Sequence, residues 1–376
     1  VTLRLLVLLT VLAHLTFAGV RVTLSLAALH LGATPLAVGV VLSLLALVPM
    51  LFAVRWGRWI DRVGARRPMM LGTSALLLAM AIAGAVPRLE ALFAVSALAG
   101  AGFMLYHIAA NQAAGAIGAP EERPRNFSVL ALAFSTSNVL GPMLAGFAID
   151  GIGHRGAFLV LGAGALCALA LLAARAPDLA RHHEPPPHEG RRRVRDLLRE
   201  PALARTLLVS GALSIAWDLF TFVTPIHGSA IGLSASTIGL VLGAFGAAIF
   251  AVRLALPLVV HRLEEWQVLT AALYATGAVL LLFPLVEEVP VLLALAFVLG
   301  IGLGGTQPMI MALVFSHAPP GRASEAVAVR TLLLNFSQAA VPLAFGALGS
   351  ALGMTPVFWA MGLGLLATAY ALGRRP

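Results

Sequence analysis

The sequence predicts an all-α polytopic membrane protein, with twelve transmembrane helices in two six-helix pseudo-symmetric bundles. Three observations carry that prediction. The 376 residues are 60% hydrophobic and only 11% charged, whereas a soluble domain carries about 25% charged residues; so few charges cannot cover a water-facing surface. Apolar runs of about 20 residues follow one another along the chain, the length that crosses ~30 Å of hydrocarbon. A polar stretch near the middle separates two sets of runs that share residues at a fixed spacing.

The runs fall at 3–31, 35–55, 66–87, 90–117, 126–149, 154–175, 203–229, 234–260, 266–286, 289–316, 322–349 and 355–373. Each is read as a helix, because an isolated strand in lipid leaves its backbone polar groups unpaired. The short alternating segments of a membrane β-barrel do not occur. The first run has no small-residue cleavage signature and is expected to be a retained span. All 25 strongly basic residues are arginine, which with abundant Ala, Leu and Gly suggests a GC-rich genome. With the N-terminus inside, Arg88 and Arg155 face outward, Arg21 and Arg330 lie within spans, and the other 21 arginines are cytoplasmic. That asymmetry sets the orientation. A bacterial inner-membrane location with both termini cytoplasmic is the expectation. The net charge of +9 is thus a topology signal, and no nucleic-acid partner is expected. The single Cys167 excludes an intrachain disulfide and a thiolate metal cluster.

The polar stretch reads "RAPDLARHHEPPPHEGRRRVRDLLREP", 175 to 201. It divides a first bundle, 1–175, from a second, 202–376, through a cytoplasmic linker over 176–201 with a short amphipathic helix near Val194–Arg199. His182, His183 and His188 suggest a metal site, but a Pro-rich segment does not fix a coordination shell, so the linker reads as solvated. The bundles resemble each other. "FAVR" occurs at 52–55 and 250–253. At a spacing of 200, Pro142, Gly146, Gly153, Phe158, Gly162 and Gly164 recur as Pro342, Gly346, Gly353, Phe358, Gly362 and Gly364. Six is even, so both units enter from the same side, which makes a parallel repeat about the membrane normal.

Between spans two and three the chain reads "WGRWIDRVGARRPMMLG". Gly57, Asp61, Arg62, Gly64, Arg66 and Arg67 match the loop motif of the major facilitator superfamily, which the whole chain resembles; Ala65 and Pro68 depart from it. The second bundle keeps Arg253 in the corresponding loop and lacks the Asp-Arg-x-Gly core. In span five, "SNVLGPMLAG" resembles the superfamily's antiporter signature through Gly141, Pro142 and Gly146, with Ser137 and Ala145 replacing two glycines. Small residues there let helices approach closely, and Pro142 bends the span. The resemblance implies a drug/proton antiporter-like exporter working by alternating access. It also implies a gating role for the loop motif, with Asp61 and its arginines latching the halves while the cavity faces outward. Two features of such exporters are absent: span four has no Arg and span one no carboxylate.

A charge at mid-membrane costs several kcal/mol and therefore usually faces the bundle interior and has a function. Asp218 is the only carboxylate near the middle of a span, and Arg21 is near the middle of span one; the two are expected to face each other across a central cavity. Thr10, His14, Phe17, Arg21 and Ser25 recur at helical spacing and share one face. His107 with Asn111, Asn138 with Ser135, Asn335 with Gln338, and Gln307 are further hydrogen-bonding candidates; each serves equally as a bridge between helices. Trp217, Phe220, Phe222 and Tyr106 are candidate liners of an apolar pocket.

The function these features support is proton-coupled secondary active transport of a small molecule by alternating access: no phosphate-binding Gly-x-x-x-x-Gly-Lys loop exists, so an ion gradient, protons foremost, is the expected energy source. An apolar cavity with one carboxylate suits efflux of lipophilic or cationic compounds; Arg21 suits an organic anion, imported or exported. A membrane enzyme or sensor is the distant alternative: one buried carboxylate and no metal-ligand histidine pair do not make a catalytic set. No cofactor and no metal are called for. The expected partners are the substrate, protons and the lipid bilayer, with the protein a monomer.

Overall fold

In the computed structural model, residues 2–175, 199–259, 264–319 and 322–373 are described. The linker histidines, and all but the last residue of the short helix expected near Val194–Arg199, lie outside them. The spans are helices Leu3–His30, Pro35–Val63, Arg66–Ala85, Leu89–Ala116, Arg123–Arg175, Pro201–Ala230, Ala235–Val259, Glu265–Leu282, Val289–Gly304 with Thr306–His317, Ala323–Leu352 and Met354–Gly373. Arg123–Arg175 comprises spans five and six, joined at Gly153, where φ is 74°. The chain reverses there. Gly141 and Leu161, on either side of the hinge, both lie against Gly19 of span one, and the Leu161 carbonyl accepts from the Thr16 hydroxyl at 2.9 Å.

Local chemistry sets the ends. Thr34 caps span two by accepting from the Ala37 amide at 3.3 Å, with Pro35 in the first turn, where its missing N–H has no cost. Span two runs eight residues beyond its predicted end, to Val63, and stops at Gly64, whose φ of 80° suits glycine alone. Span ten, predicted as one helix, breaks at Gly305. Pro308 has no N–H to offer the Gly304 carbonyl, and two successive glycines resist the break least. The repeat recurs in the turns: Gly32 and Gly232, and Gly153 and Gly353, each have positive φ at a spacing of 200.

The spans alternate between a terminal face, where Thr2, Arg175, Pro201 and Gly373 lie, and a far face. Spans two and eleven, and spans five and eight, join the two halves at the far face. A Cβ on Gly39 would lie 2.2 Å from the Pro342 carbonyl oxygen, and one on Gly146 would lie 2.2 Å from the Ala235 carbonyl oxygen. Such approach is what small residues permit between helices in lipid. The seam is also hydrogen-bonded. The Leu36 amide donates to Ser350 Oγ at 2.8 Å. The first amides of span eight, Ala235 and Ser236, donate to the two carboxylate oxygens of Asp150 at 3.1 and 2.8 Å. Toward the terminal face the halves are joined by the hydrogen bond from Arg253 to Ser135, and a Cβ on Gly57 would meet nothing within 4 Å. The molecule is closed at the far face and open at the terminal face.

Candidate functional site

Arg21 sits nine residues before the end of span one at His30, about 14 Å below the far face at ~1.5 Å per residue. Its Nη2 donates to Thr221 Oγ1 of span seven at 3.5 Å. Thr221 is its own counterpart in the repeat, 200 residues on. Arg21 lines two adjoining cavities. One, of about 60 Å³, is walled by Ala18, Val22, Pro142, Leu242 and Phe245 and includes Asn138. The other, of about 160 Å³, includes Ser214, Asp218, Arg253, Gln307 and Gln338. Trp217 lies between them and lines both, with its indole edge-on to Phe245 at 5.0 Å.

Arg21 and Asp218 therefore share a cavity, but they are not an ion pair: among the described residues, the pair within 4.0 Å is Arg322–Glu325. The buried Asp218 carboxylate instead accepts from Ser337 Oγ of span eleven at 3.0 Å. Arg253, which the sequence places at the cytoplasmic edge, is half-buried in this same cavity. Its Nη1 donates to Ser135 Oγ across the halves at 2.6 Å. Its counterpart Arg55 is exposed. The signal for Arg253 was the repeated "FAVR": the second copy sits in a span whose apolar run continues past it. No sequence signal marked Ser337.

Arg330 belongs elsewhere. It is buried within the second half, where Nε donates to Ser210 Oγ at 3.0 Å, Nη1 meets Met311 Sδ at 3.5 Å and Nη2 donates to Gln307 Oε1. Gln307 is thus on the cavity wall but already engaged. Asn335 makes no side-chain hydrogen bond among the described residues and lines neither cavity. Asn111 donates to the His107 carbonyl one turn back, at 2.8 Å.

His14 and His107 lie in an aromatic box inside the first half. Phe103 stacks on Phe17 at 3.9 Å, Phe134 stands edge-on to His14 at 4.9 Å, and His107 lies 5.0 Å from Phe134. The buried Nδ1 of His14 has no partner among the described residues. The polar stripe of span one divides accordingly: Thr10 bonds to the Tyr106 hydroxyl at 3.2 Å, Ser25 donates to the Arg21 carbonyl at 3.0 Å, and only Arg21 reaches the cavities. Tyr106, Phe220 and Phe222 are fully buried in helix packing and line neither cavity. Trp217 alone of the four aromatic candidates does.

The span-five motif touches two helices at once. A Cβ on Gly141 would crowd Ala18 and Gly19, and one on Gly146 would crowd Ala235 and Ser236. Ser137, in place of a motif glycine, donates to the Val11 carbonyl of span one at 3.1 Å. In the loop motif, Asp61 accepts from Gln112 of span four at 3.0 Å, and Arg66 reaches the Ala173 carbonyl at 3.3 Å. Both contacts stay within the first half. Arg62 and Arg67 are exposed, and among the described residues no hydrogen bond or ion pair links the motif to the second half.

A family model of the Major Facilitator Superfamily matches residues 6–286 and 265–376. Solved structures with the same fold include a POT family transporter in complex with 5-aminolevulinic acid, 14% identical, covering 98% of this chain and 95% of that one with a TM-score of 0.81. They include the nucleoside transporter NupG, 14% identical, covering 98% and 99% with a TM-score of 0.78. A bacterial homolog of the human lysosomal transporter Spinster, inward-facing and unoccupied, is 13% identical, covering 98% and 93% with a TM-score of 0.75. No curated protein matches the sequence. The chain belongs to the Major Facilitator Superfamily. It is a multi-pass membrane transporter and not an enzyme.

Proposed function

We propose that the protein is a proton-coupled secondary transporter of small organic anions. The observation that carries this reading is the charge of the central cavity: two guanidinium groups, Arg21 and Arg253, with one carboxylate, Asp218, whose Oδ2 is taken by Ser337. A guanidinium presents a planar fork that matches a carboxylate or phosphate. Trp217 and the apolar wall beside Arg21 favour an anion with a hydrophobic or aromatic portion. Efflux of lipophilic cations would rest on Asp218, and two nearby arginines oppose it. The resemblance of span five to the antiporters supports export.

The terminal face, where the arginines concentrate, is the cytoplasmic face of a bacterial inner membrane in this reading. The state described here then opens inward. Alternating access follows from rocking the halves about the cavity. One monomer holds the whole path. Asp218 is the proton carrier: it leaves Ser337 and binds a proton when Arg21 turns to the substrate. His14 and His107 stand as a second proton site in the first half. Asp218→Asn should retain anion binding and lose proton movement coupled to it, measured with a pH dye inside proteoliposomes; undiminished coupled flux assigns the proton elsewhere.

The loop motif acts in the opposite state, when the terminal face closes. Asp61 then exchanges Gln112 for a partner in the second half, and Gly57, open here, meets it closely. Asp61→Asn should slow turnover about tenfold and leave substrate affinity within twofold, compared by exchange flux and equilibrium binding. Unchanged turnover would remove the latch from the account.

A further inference from the structure

Away from the central cavity, the duplicated halves differ at an equivalent place on the far face. At the far face of the first half lies a hollow of about 520 Å³, walled by Ala83, Leu92, Ile152 and Phe158 and edged by His30, His154 and Arg155. Two hundred residues on, Phe283 and Leu292, the counterparts of Ala83 and Leu92, border a cavity of only about 10 Å³ beside His227. The register is fixed by Gly32 with Gly232 and Gly153 with Gly353, which share positive φ. Phe283 stands where Ala83 stands. It stacks on Phe358, the counterpart of Phe158, at 5.5 Å, and its ring fills the space. The counterparts of His30, His154 and Arg155 are Ala230, Met354 and Thr355. The first half has a hollow edged by three basic side chains; the second lacks those three at the same positions and instead packs His227, the counterpart of Ala27, against Phe283 and Phe358. Lost together, the two features read as parts of one site.

The basic groups are free to take an anion. The imidazoles of His30 and His154 stack at 4.6 Å, with the Leu26 backbone beside His154. Arg155 uses Nε on the Gly84 carbonyl at 2.9 Å, and its Nη groups have no hydrogen-bond partner among the described residues. Asp150, the carboxylate whose charge acts on His154, has both oxygens on the amides of span eight. Basic groups at a span end, opening onto an apolar hollow, suit a ligand with an anionic head and an apolar tail; span ends lie at headgroup depth.

We propose that this hollow binds the phosphate group of an anionic amphiphile, with the phosphate at Arg155 and the histidine pair and the apolar portion against Ile152, Phe158 and Leu92. Isothermal titration of the purified full chain in detergent tests it, with dihexanoyl phosphatidic acid and, separately, inorganic phosphate as probes. Ala83→Phe fills the hollow, and the double variant His154→Met with Arg155→Thr removes charge. Both install residues that the second half accommodates at the same place, and melting temperatures identify a variant that has lost its fold, leaving the other to decide. Arg21→Ala separates this site from the central one. Binding of the phosphatidate should weaken at least tenfold in both hollow variants and persist in Arg21→Ala, which assigns a lipid. Equal affinity for inorganic phosphate, lost in the same two variants, assigns the same site to free phosphate. Phosphatidate binding that is absent from the wild type, unchanged in the hollow variants, or lost with Arg21 overturns the proposal.

Discussion

Replacing Arg21 with alanine is expected to weaken anion binding by about 100-fold or more while leaving the fold intact. The side chain stands at mid-membrane between the two cavities, and its one side-chain hydrogen bond among the described residues is a 3.5 Å contact to Thr221. A guanidinium with so slight an attachment has donors to spare for a ligand. Truncating one partner of a buried, hydrogen-bonded charge pair costs about 2–5 kcal/mol, and each ~1.4 kcal/mol is tenfold in affinity. Arg21→Lys keeps the charge and loses the fork, so it should recover part of the binding. Arg253→Gln should cost less, because Arg253 is divided between the cavity and Ser135. Equilibrium titration of an aromatic monocarboxylate against the three variants gives the ranking. A loss confined to Arg253→Gln would move the site toward the terminal face.

The second large effect is expected at the far-face seam. Gly146→Leu should prevent this closed seam from forming and reduce turnover by about 100-fold or more, with the folded protein still made. A Cβ there would lie 2.2 Å from the Ala235 carbonyl oxygen and 2.9 Å from the Ser236 Cα. Both are backbone atoms that cannot swing aside, so the cost falls on the docking of spans five and eight. The same helix keeps its packing within the first half through Gly141, which is five residues away and faces span one. The readout is the distance between spin labels at Leu36 and Ser350, in a protein whose Cys167 has been replaced. Those residues are hydrogen-bonded in the closed seam; a distribution shifted by about 10 Å is the expected result. Gly57→Leu is the matched control for the seam distance alone, since its Cβ meets open space in this state.

Much of the fold was legible in the sequence because lipid simplifies the problem. Apolar length alone marks a helix that must satisfy its own backbone, so every span was placed within a few residues except at two points. Span two continues through "RWGRWIDRV" because arginine and tryptophan suit a helix end as it leaves the bilayer. Span ten breaks because Gly304, Gly305 and Pro308 lie together, a local weakness that hydropathy does not register. The cavity was less legible. Arg21, Asp218, Asn138 and Trp217 stood out as polar or aromatic residues in apolar runs. Arg253 was hidden by its position near a charged loop, and Ser337 by its size. Arg21 and Asp218 were expected to face each other and do share a cavity. Yet Asp218 turns to span eleven, a choice set by which helices converge rather than by spacing along the chain.

The difference between the two halves was also present in the sequence without being interpretable there. Ala83 opposite Phe283, and Arg155 opposite Thr355, become meaningful once burial shows that one position walls a hollow and the other fills it.

The central claim is that two arginines make this cavity a carrier site for anions. The most direct measurement is uptake into proteoliposomes under an imposed pH gradient, using matched probes that share an aromatic ring and differ only in a carboxylate or an ammonium group. The account predicts gradient-dependent movement of the carboxylate, lost in Arg21→Ala, and none of the ammonium compound. Movement of the ammonium compound alone, undiminished in Arg21→Ala, would contradict it.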